Sequence, residues 1–246
     1  MPIYPLAGNQ SYEATFRELV EKHLAAAKWC AFWPMVGPEY PSAPKKLLVC
    51  GRALNGWDDT IFSCEQDASD LVARCERSFG PSDGEDHKLG WVEARWGQGA
   101  EYRTSRSAFW RVVRDLAGHL GYAGSGWTRH IAWTNVMRVS PAKEGNPEDW
   151  SWQAQLPHAA QLLAHEVEIL QPDVLVFLVG KSWFGPLRDQ HPLKDFLKPE
   201  AAPLLDAKHV SFVGSMGGTR VVVGPHPQGK PEGEIVKEIA LAMDGC

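Results

Sequence analysis

Residues 170–180 read LQPDVLVFLVG, a helix end followed by a nearly unbroken run of Leu, Val and Phe. Apolar side chains on both faces of a strand are typical of a parallel sheet that is covered on both sides. Similar runs occupy residues 46–51 and 219–224, and a fourth apolar run occupies residues 130–139. These four runs predict the strands of one sheet.

Amphipathic helices alternate with the four runs. Apolar residues recur with a period of about 3.6 in residues 11–28, 104–120, 156–170 and 232–243, and Gly121 is placed to end the second of these helices. This alternation predicts an α/β protein, a three-layer α/β/α sandwich around a central, mainly parallel four-stranded sheet with right-handed crossovers. No repeat, low-complexity tract or long linker divides the chain, so we expect residues 1–246 to form a single domain.

The composition is that of a folded globular protein. The chain has 246 residues, of which 44% are hydrophobic and 22% charged, and this excludes a disordered chain because enough apolar surface is present to offset the entropy of ordering. No apolar run approaches the roughly 20 residues of a membrane span, and the first residues lack the pattern of a signal peptide. We therefore expect a cytoplasmic protein that does not bind a membrane. The five cysteines form no CxxC pair, which argues against a disulfide framework and a structural zinc site.

Charge is unevenly distributed along the chain. The formal net charge is −5, and acidic residues dominate residues 65–101. Residues 181–230 contain seven Lys or Arg against four Asp or Glu. A protein that contacts phosphate over its whole surface would be basic, so the second region predicts either a local basic face or an ordinary solvated surface.

The segments that follow the strands carry the informative residues, because ligands of parallel α/β sheets bind outside the carboxyl ends of the strands. Residues 51–59 read GRALNGWDD, in which two glycines permit a tight loop close to a ligand. Residues 134–141 read TNVMRVSP, in which Asn135 places an amide donor and acceptor in an apolar strand. Residues 224–230 read GPHPQGK, in which prolines fix the backbone on both sides of His226.

In these three segments the chain resembles the uracil-DNA glycosylase superfamily, and most closely its branch with the motifs GEAPG, TNVVKCRPP and a final His-Pro. The residues that match the motifs are Gly51, Ala53, Thr134, Asn135, Val136, Pro141, His226 and Pro227, with Asp58 at the acidic position of the first motif. The motifs occur in the family's order and cover roughly residues 45–230. The resemblance implies a monomeric DNA base-excision enzyme that hydrolyses the N-glycosidic bond of uracil or a related damaged base in DNA and needs neither a metal nor a cofactor.

The resemblance also implies catalytic roles. A glycosylase extrudes the base, because the bond is inaccessible inside the helix. His226 would donate a hydrogen bond to the pyrimidine O2, where negative charge develops. Asp58 would orient a water or stabilise the sugar cation, and Asn55 would stand beside it in the catalytic loop.

Further residues would hold the base and the DNA. Asn135 would pair with the O4 and N3–H of the base, Phe62 or Trp57 would stack on its ring, and Gly51 would let the backbone approach it. The expected DNA contacts are Gln228, Lys230 and Arg138.

Structural explanations of the same residues remain open. Asp58 could cap a helix that starts near Asp59, Asn135 could satisfy neighbouring backbone, and His226 could be a turn residue without a ligand. Trp57 and Phe62 could be packing residues of the core or of the rim of a cleft.

The departures from the family's pattern lead to an alternative function. Arg52 stands where the branch has Glu, Leu54 and Asn55 replace a Pro-Gly pair, and Gln228 follows His-Pro. The four cysteines that hold the branch's iron–sulfur cluster are missing, so we expect no cluster. In an ungapped comparison with the Gly-Gln-Asp-Pro-Tyr type of first motif, the aspartate position is Ala53. The alternative is a catalytically inactive relative that binds nucleic acid or a nucleobase-like ligand.

Overall fold

The secondary structure is described for residues 6, 8–24, 28–54, 57–63, 70–79, 87–97, 102–143, 145–200 and 207–244 of a computed structural model. The α-helices in these ranges are α1 Gln10–Glu21, α2 Leu71–Phe79, α3 Trp91–Ala94, α4 Ala108–His119, α5 Asp149–Leu170, α6 Lys181–Arg188, α7 Leu193–Phe196 and α8 Glu232–Asp244. The strands are β1 Trp29–Ala31, β2 Met35–Val36, β3 Leu47–Gly51, β4 Ile61–Phe62, β5 Ile131–Asn135, β6 Val139–Pro141, β7 Val174–Leu178, β8 Lys198–Pro199, β9 Phe212–Met216 and β10 Thr219–Gly224.

The main sheet has the strand order β2-β5-β3-β7-β10-β9-β8. β3 pairs in parallel with β5 and β7, and β7 pairs in parallel with β10. The outer strands β2, β9 and β8 are antiparallel to their neighbours. The predicted α/β class is therefore confirmed, whereas the sheet is larger than the four strands expected and mixed in direction.

The outer strands were missed because they carry no apolar run. β2 and β8 have two residues each, and β9 contains Gly214 and Ser215. β9 and β10 form a hairpin through Gly217 and Gly218, whose φ angles are 58° and 91°. A two-residue hairpin turn of this kind requires positive φ at both positions, which glycine adopts without strain.

The apolar run of residues 130–139 is divided between two sheets. β5 ends at Asn135, and β6 joins β1 and β4 in a separate antiparallel sheet of three strands. Between β5 and β6, the N–H of Val136 donates to the Gly51 carbonyl and that of Met137 to the Arg52 carbonyl, both at 2.8 Å. These hydrogen bonds keep the end of β5 beside the end of β3.

The four predicted helices are present, with shifted ends. α1 ends at Glu21 instead of reaching residue 28, and residues 25–27 lie outside the described chain. α4 begins at Ala108 instead of residue 104, after Ser107 as N-cap, and α5 begins at Asp149 instead of residue 156. Gly121, with φ 92°, follows the end of α4 as expected.

The helices pack in two groups. α1 packs against α5, and α6 contacts both α5 and β10, whereas α4 packs against α8 and β3. The chain passes from β3 to β5 in one direction across the sheet and from β5 to β7 in the other, so right-handed connections place α4 and α5 on opposite faces. The buried apolar side chains of the sheet and of both groups form one continuous cluster.

Within the described residues, each helix is either too short or too polar to cross a membrane.

Candidate functional site

The carboxyl ends of the four central strands form one edge of the main sheet. Besides the bonds that join β3 to β5, the N–H of Gly180 after β7 donates to the carbonyl of Gly224 at the end of β10 (3.0 Å). The direction of the chain across the sheet reverses at β3, and the crevice at such a switch point is where open α/β sheets bind ligands. A cavity of about 900 Å³ lies at this edge.

Five residues predicted for the site line this cavity, namely Gly51, Trp57, Asn135, His226 and Gln228. They come from three segments far apart in the sequence, and the sheet brings them together. Side chains that the sequence did not indicate as site residues complete much of the wall, among them Trp91, Arg95, Tyr102, Arg103, Arg106, Phe109, Trp110, Arg111, Trp133 and Glu232.

Gly51, Asn135 and Phe109 lie side by side in the lining of the cavity. A Cβ atom on Gly51 would lie 2.4 Å from Asn135 Oδ1 and 3.3 Å from Phe109 Cε2, so any larger residue would displace the Asn135 amide. Phe109 was predicted only as part of the apolar stripe of its helix, and no sequence signal separates it from the core residues of that stripe.

Hydrogen-bond donors without acceptors surround the cavity. Asn135 is 1% exposed, and its Nδ2 has no hydrogen-bond partner among the described residues. The same holds for the indole Nε1 atoms of Trp91 and Trp133. Buried polar groups in native proteins are nearly always paired, because an unpaired donor costs about 1–3 kcal/mol. Three such donors on residues that line one cavity are compatible with a ligand that has hydrogen-bond acceptors.

His226 lines the same cavity and is a neutral imidazole at neutral pH. Burial, together with the positive charges of Arg52 and Lys230, lowers its pKa from 6.5 to about 4. Its Nδ1 faces the backbone N–H of Gln228 at 3.4 Å. Because Nδ1 accepts this hydrogen bond, the proton of the neutral ring is on Nε2, which is then a donor.

Arg52 joins the ends of β3 and β7. It follows β3, its Nε donates to the Val179 carbonyl after β7 (3.1 Å), and its guanidinium lies 5.3 Å from the ring centroid of Trp183. It lines the cavity, and its charge acts on His226. The loop after β3 therefore carries a fixed cation beside His226.

Most of the charged side chains in the described lining are cationic. This lining includes five arginines, Arg52, Arg95, Arg103, Arg106 and Arg111, and one carboxylate, Glu232. Glu232 is paired with Arg111, whose Nε donates to it at 2.8 Å. The basic surface considered for residues 181–230 is thus not what lines the cavity, because four of these arginines come from residues 95–111. Lys230 is exposed.

Arg138 is not available for DNA contact. Its side chain is fully buried and forms an ion pair with the equally buried Glu166 (2.8 Å). Glu166 also accepts hydrogen bonds from the hydroxyls of Tyr12 (2.7 Å) and Thr134 (2.8 Å). Arg138 therefore links the end of β5 to α5 and α1 inside the protein, and the expectation of a DNA contact is corrected.

Phe62 is also placed away from the cavity. It is fully buried in β4, where it pairs with Trp29 of β1, so a packing role replaces the expected stacking on a base. Trp57 does line the cavity, and its ring lies 5.8 Å from that of Trp91.

The structure describes only part of residues 51–59, the loop in which Asp58 is expected to orient a water molecule. Asn55 lies outside the described residues. Asp58 begins a short 3₁₀ turn, Asp58–Thr60, in which the position of its side chain lies outside the description. Their catalytic roles, and the alternative of Asp58 as a helix cap, remain predictions. No group of His, Cys, Asp and Glu side chains in the described residues could hold a metal ion.

A scan against models of protein families finds no match to the chain, and a search of curated proteins also finds none.

Proposed function

We propose that the protein is a DNA base-excision enzyme that hydrolyses the N-glycosidic bond of uracil or a related damaged base. The observation that carries the proposal is Asn135, which lies against Gly51 in a cavity that also contains His226 and whose buried Nδ2 has no hydrogen-bond partner among the described residues. An unpaired Nδ2–H donor beside the amide oxygen fits a flat ligand with both an acceptor and a donor on one edge. The O4 and N3–H of uracil provide that edge.

The chemistry assigned to His226 depends on its neutral form. As the bond breaks, negative charge develops on the pyrimidine, and the Nε2–H of His226 donates to O2. A neutral donor that is fixed before the reaction stabilises this charge without reorganisation, and loss of one such donor typically costs about 10²–10³ in rate. The charge of Arg52 at the same site stabilises the departing anion as well.

Phe109 takes the stacking role first considered for Phe62. Its ring is half-buried, and the 3.3 Å between its Cε2 and a Cβ atom on Gly51 places it beside the base-binding amide. An extruded base is commonly held between aromatic or apolar side chains. Trp57 forms part of the wall in the same cavity.

The remaining parts of the proposal follow from the resemblance to uracil-DNA glycosylases. Asp58 activates or orients the water, with Asn55 beside it, and Gln228 and Lys230 lie near the DNA. The proposal includes a three-layer α/β/α architecture around four parallel strands, a monomer that acts on lesion-containing DNA, and a cytoplasmic location. Water and protein side chains supply the reaction, without a metal or cofactor.

A second candidate function is a relative that binds a nucleobase-like ligand or nucleic acid without cleaving it. The altered loop after β3 favours this second function. In that loop Arg52 stands where the glycosylase motif has a glutamate, and Leu54 and Asn55 stand where it has a Pro-Gly pair. The Leu54 side chain is buried. The donor-rich cavity suits both functions. They differ in whether the bond is broken.

Incubation with an oligonucleotide that contains one uracil, followed by alkaline cleavage of abasic sites, distinguishes the two. We expect strand breaks with the wild type and a loss of about 10²–10³ in rate for His226→Ala, the cost of one fixed donor. Asn135→Ala and Asp58→Ala should also lose activity, whereas Arg188→Ala, on the surface, should not. Robust excision by all three site variants would overturn the assignment. DNA binding without excision of uracil, hypoxanthine or an alkylated base would establish the second function.

A further inference from the structure

The cavity is larger than one base requires. Its volume of about 900 Å³ is near the upper end of the range of about 300–1,000 Å³ that accommodates whole small-molecule ligands. Asn135, Phe109 and His226 account for one pyrimidine. We propose that the rest of the cavity binds the nucleotides that flank this base, and that the substrate is single-stranded DNA. This inference rests on the proposed function, since it concerns the DNA around the same base.

Aromatic side chains form a continuous wall along this remaining space. Trp57 lies 5.8 Å from Trp91, and Trp91 lies 6.1 Å from Tyr102, measured between ring centroids. Tyr102 is 44% exposed, so its ring is accessible to a ligand. Aromatic side chains stack on the faces of bases in single strands irrespective of sequence. In a duplex these faces are covered by neighbouring base pairs, so the wall favours a single strand.

Arginines accompany the aromatic wall. Arg103 precedes the 3₁₀ turn Thr104–Arg106, and Arg106 is its last residue. The Thr104 hydroxyl fixes this turn by donating to the Val92 carbonyl (2.6 Å). Arg106 is exposed and Arg103 half-exposed, and neither side chain has an ion-pair partner among the described residues. Arg95 lies 6.0 Å from the ring of Trp91. Aromatic rings combined with cations that follow the backbone are how proteins bind single strands.

Binding of a short undamaged oligonucleotide, measured by fluorescence anisotropy, tests the inference separately from catalysis. We expect the single strand to bind more tightly than the duplex of the same sequence. Tyr102→Ala should weaken single-strand binding by about 5- to 150-fold, the effect of losing one base–aromatic stack, with little effect on the duplex, and Tyr102→Trp should retain it. Equal affinity for both forms, or an unchanged affinity in Tyr102→Ala, would overturn the inference.

The salt dependence of the same binding tests the arginines. The plot of log affinity against log salt concentration has a negative slope. In the double variant Arg103→Gln/Arg106→Gln the magnitude of this slope should be smaller by about 1.4, which is about 0.7 for each lost phosphate contact with a single strand. The control is Arg17→Gln/Arg188→Gln, which removes the same charge from surface ion pairs with Glu13 and Asp189. An equal slope change in the control would show a general charge effect and overturn the inference.

The two proposals fail in different ways. Uracil excision without any preference for the single strand would refute only the inference. Single-strand binding that depends on Tyr102 and Arg103, without excision of any base, would instead refute the proposed function.

Discussion

Replacement of Gly51 by alanine tests the geometry of the site with a single methyl group. The new Cβ would lie 2.4 Å from Asn135 Oδ1, and ordinary contact begins at 3.4 Å. The amide must therefore move by about 1 Å, and misplacement of a positioning group by about that distance can cost about 10²-fold in rate. The Phe109 ring, at 3.3 Å from the same Cβ, limits the directions in which the strain can relax.

The measurement is the single-turnover rate of uracil release from an oligonucleotide, compared with that of Gly118→Ala. Gly118 lies in α4, and a Cβ atom there meets nothing within 4 Å. Its replacement should leave the rate unchanged and raise stability by about 0.5–1 kcal/mol, because alanine is favoured over glycine within a helix. We expect a loss of about 10²-fold for Gly51→Ala. A folded Gly51→Ala protein with the wild-type rate would refute the claim that the reaction depends on the position of the Asn135 amide.

Two further predictions concern stability. Arg138→Ala leaves the carboxylate of Glu166 buried without its cation and should lower the free energy of unfolding by about 3–5 kcal/mol. Arg188→Ala breaks an exposed ion pair and should lower it by about 1 kcal/mol or less. Urea denaturation measures both losses, and losses of similar size would contradict the argument from burial. The lowered pKa of His226, about 4 against an ordinary 6.5, means that the unfolded chain takes up a proton first as the pH falls. As the pH is lowered from about 6.5 to 4, the free energy of unfolding should therefore decrease more for the wild type than for His226→Asn. Equal decreases in the two proteins would show that the folded protein does not hold the ring neutral.

The centre of the fold could be predicted because its strands are buried on both faces. Such strands need apolar residues at successive positions, and this produced visible runs such as Thr219–Gly224, whose bounds the structure reproduces. The edge strands and the three-stranded sheet depend on pairing between short segments, such as Met35–Val36 with β5. Two or three residues carry no periodic pattern, so these elements follow from tertiary contacts alone.

The lining of the cavity was predictable where a strand end carries an unusual residue type. Gly51, Asn135 and His226 each stand at a strand end with an unusual residue type, and the structure places them in one cavity. Phe109 could not be distinguished from the core residues of α4. Apolar residues recur with the same period on a helix whether they face a cavity or the core. The arginines were missed because the net charge of a segment does not show which way its side chains face.

The sequence itself contains an indication that Arg138 is buried. Its partner Glu166 falls three residues after Leu163 and four before Leu170, on the apolar face of α5. A carboxylate on such a face requires a buried partner. The arginine that follows β5 supplies this partner.

The most direct test of the central claim is whether the Asn135 amide binds the base. In ¹H–¹⁵N correlation spectra, the two Nδ2 protons can be assigned by their disappearance in Asn135→Leu and followed during a titration with uracil. We expect one of them to shift downfield as it donates to the uracil oxygen, and the shift to saturate. If uracil leaves both signals unchanged while binding elsewhere, or does not bind, the account of this cavity as a base-recognition site is contradicted.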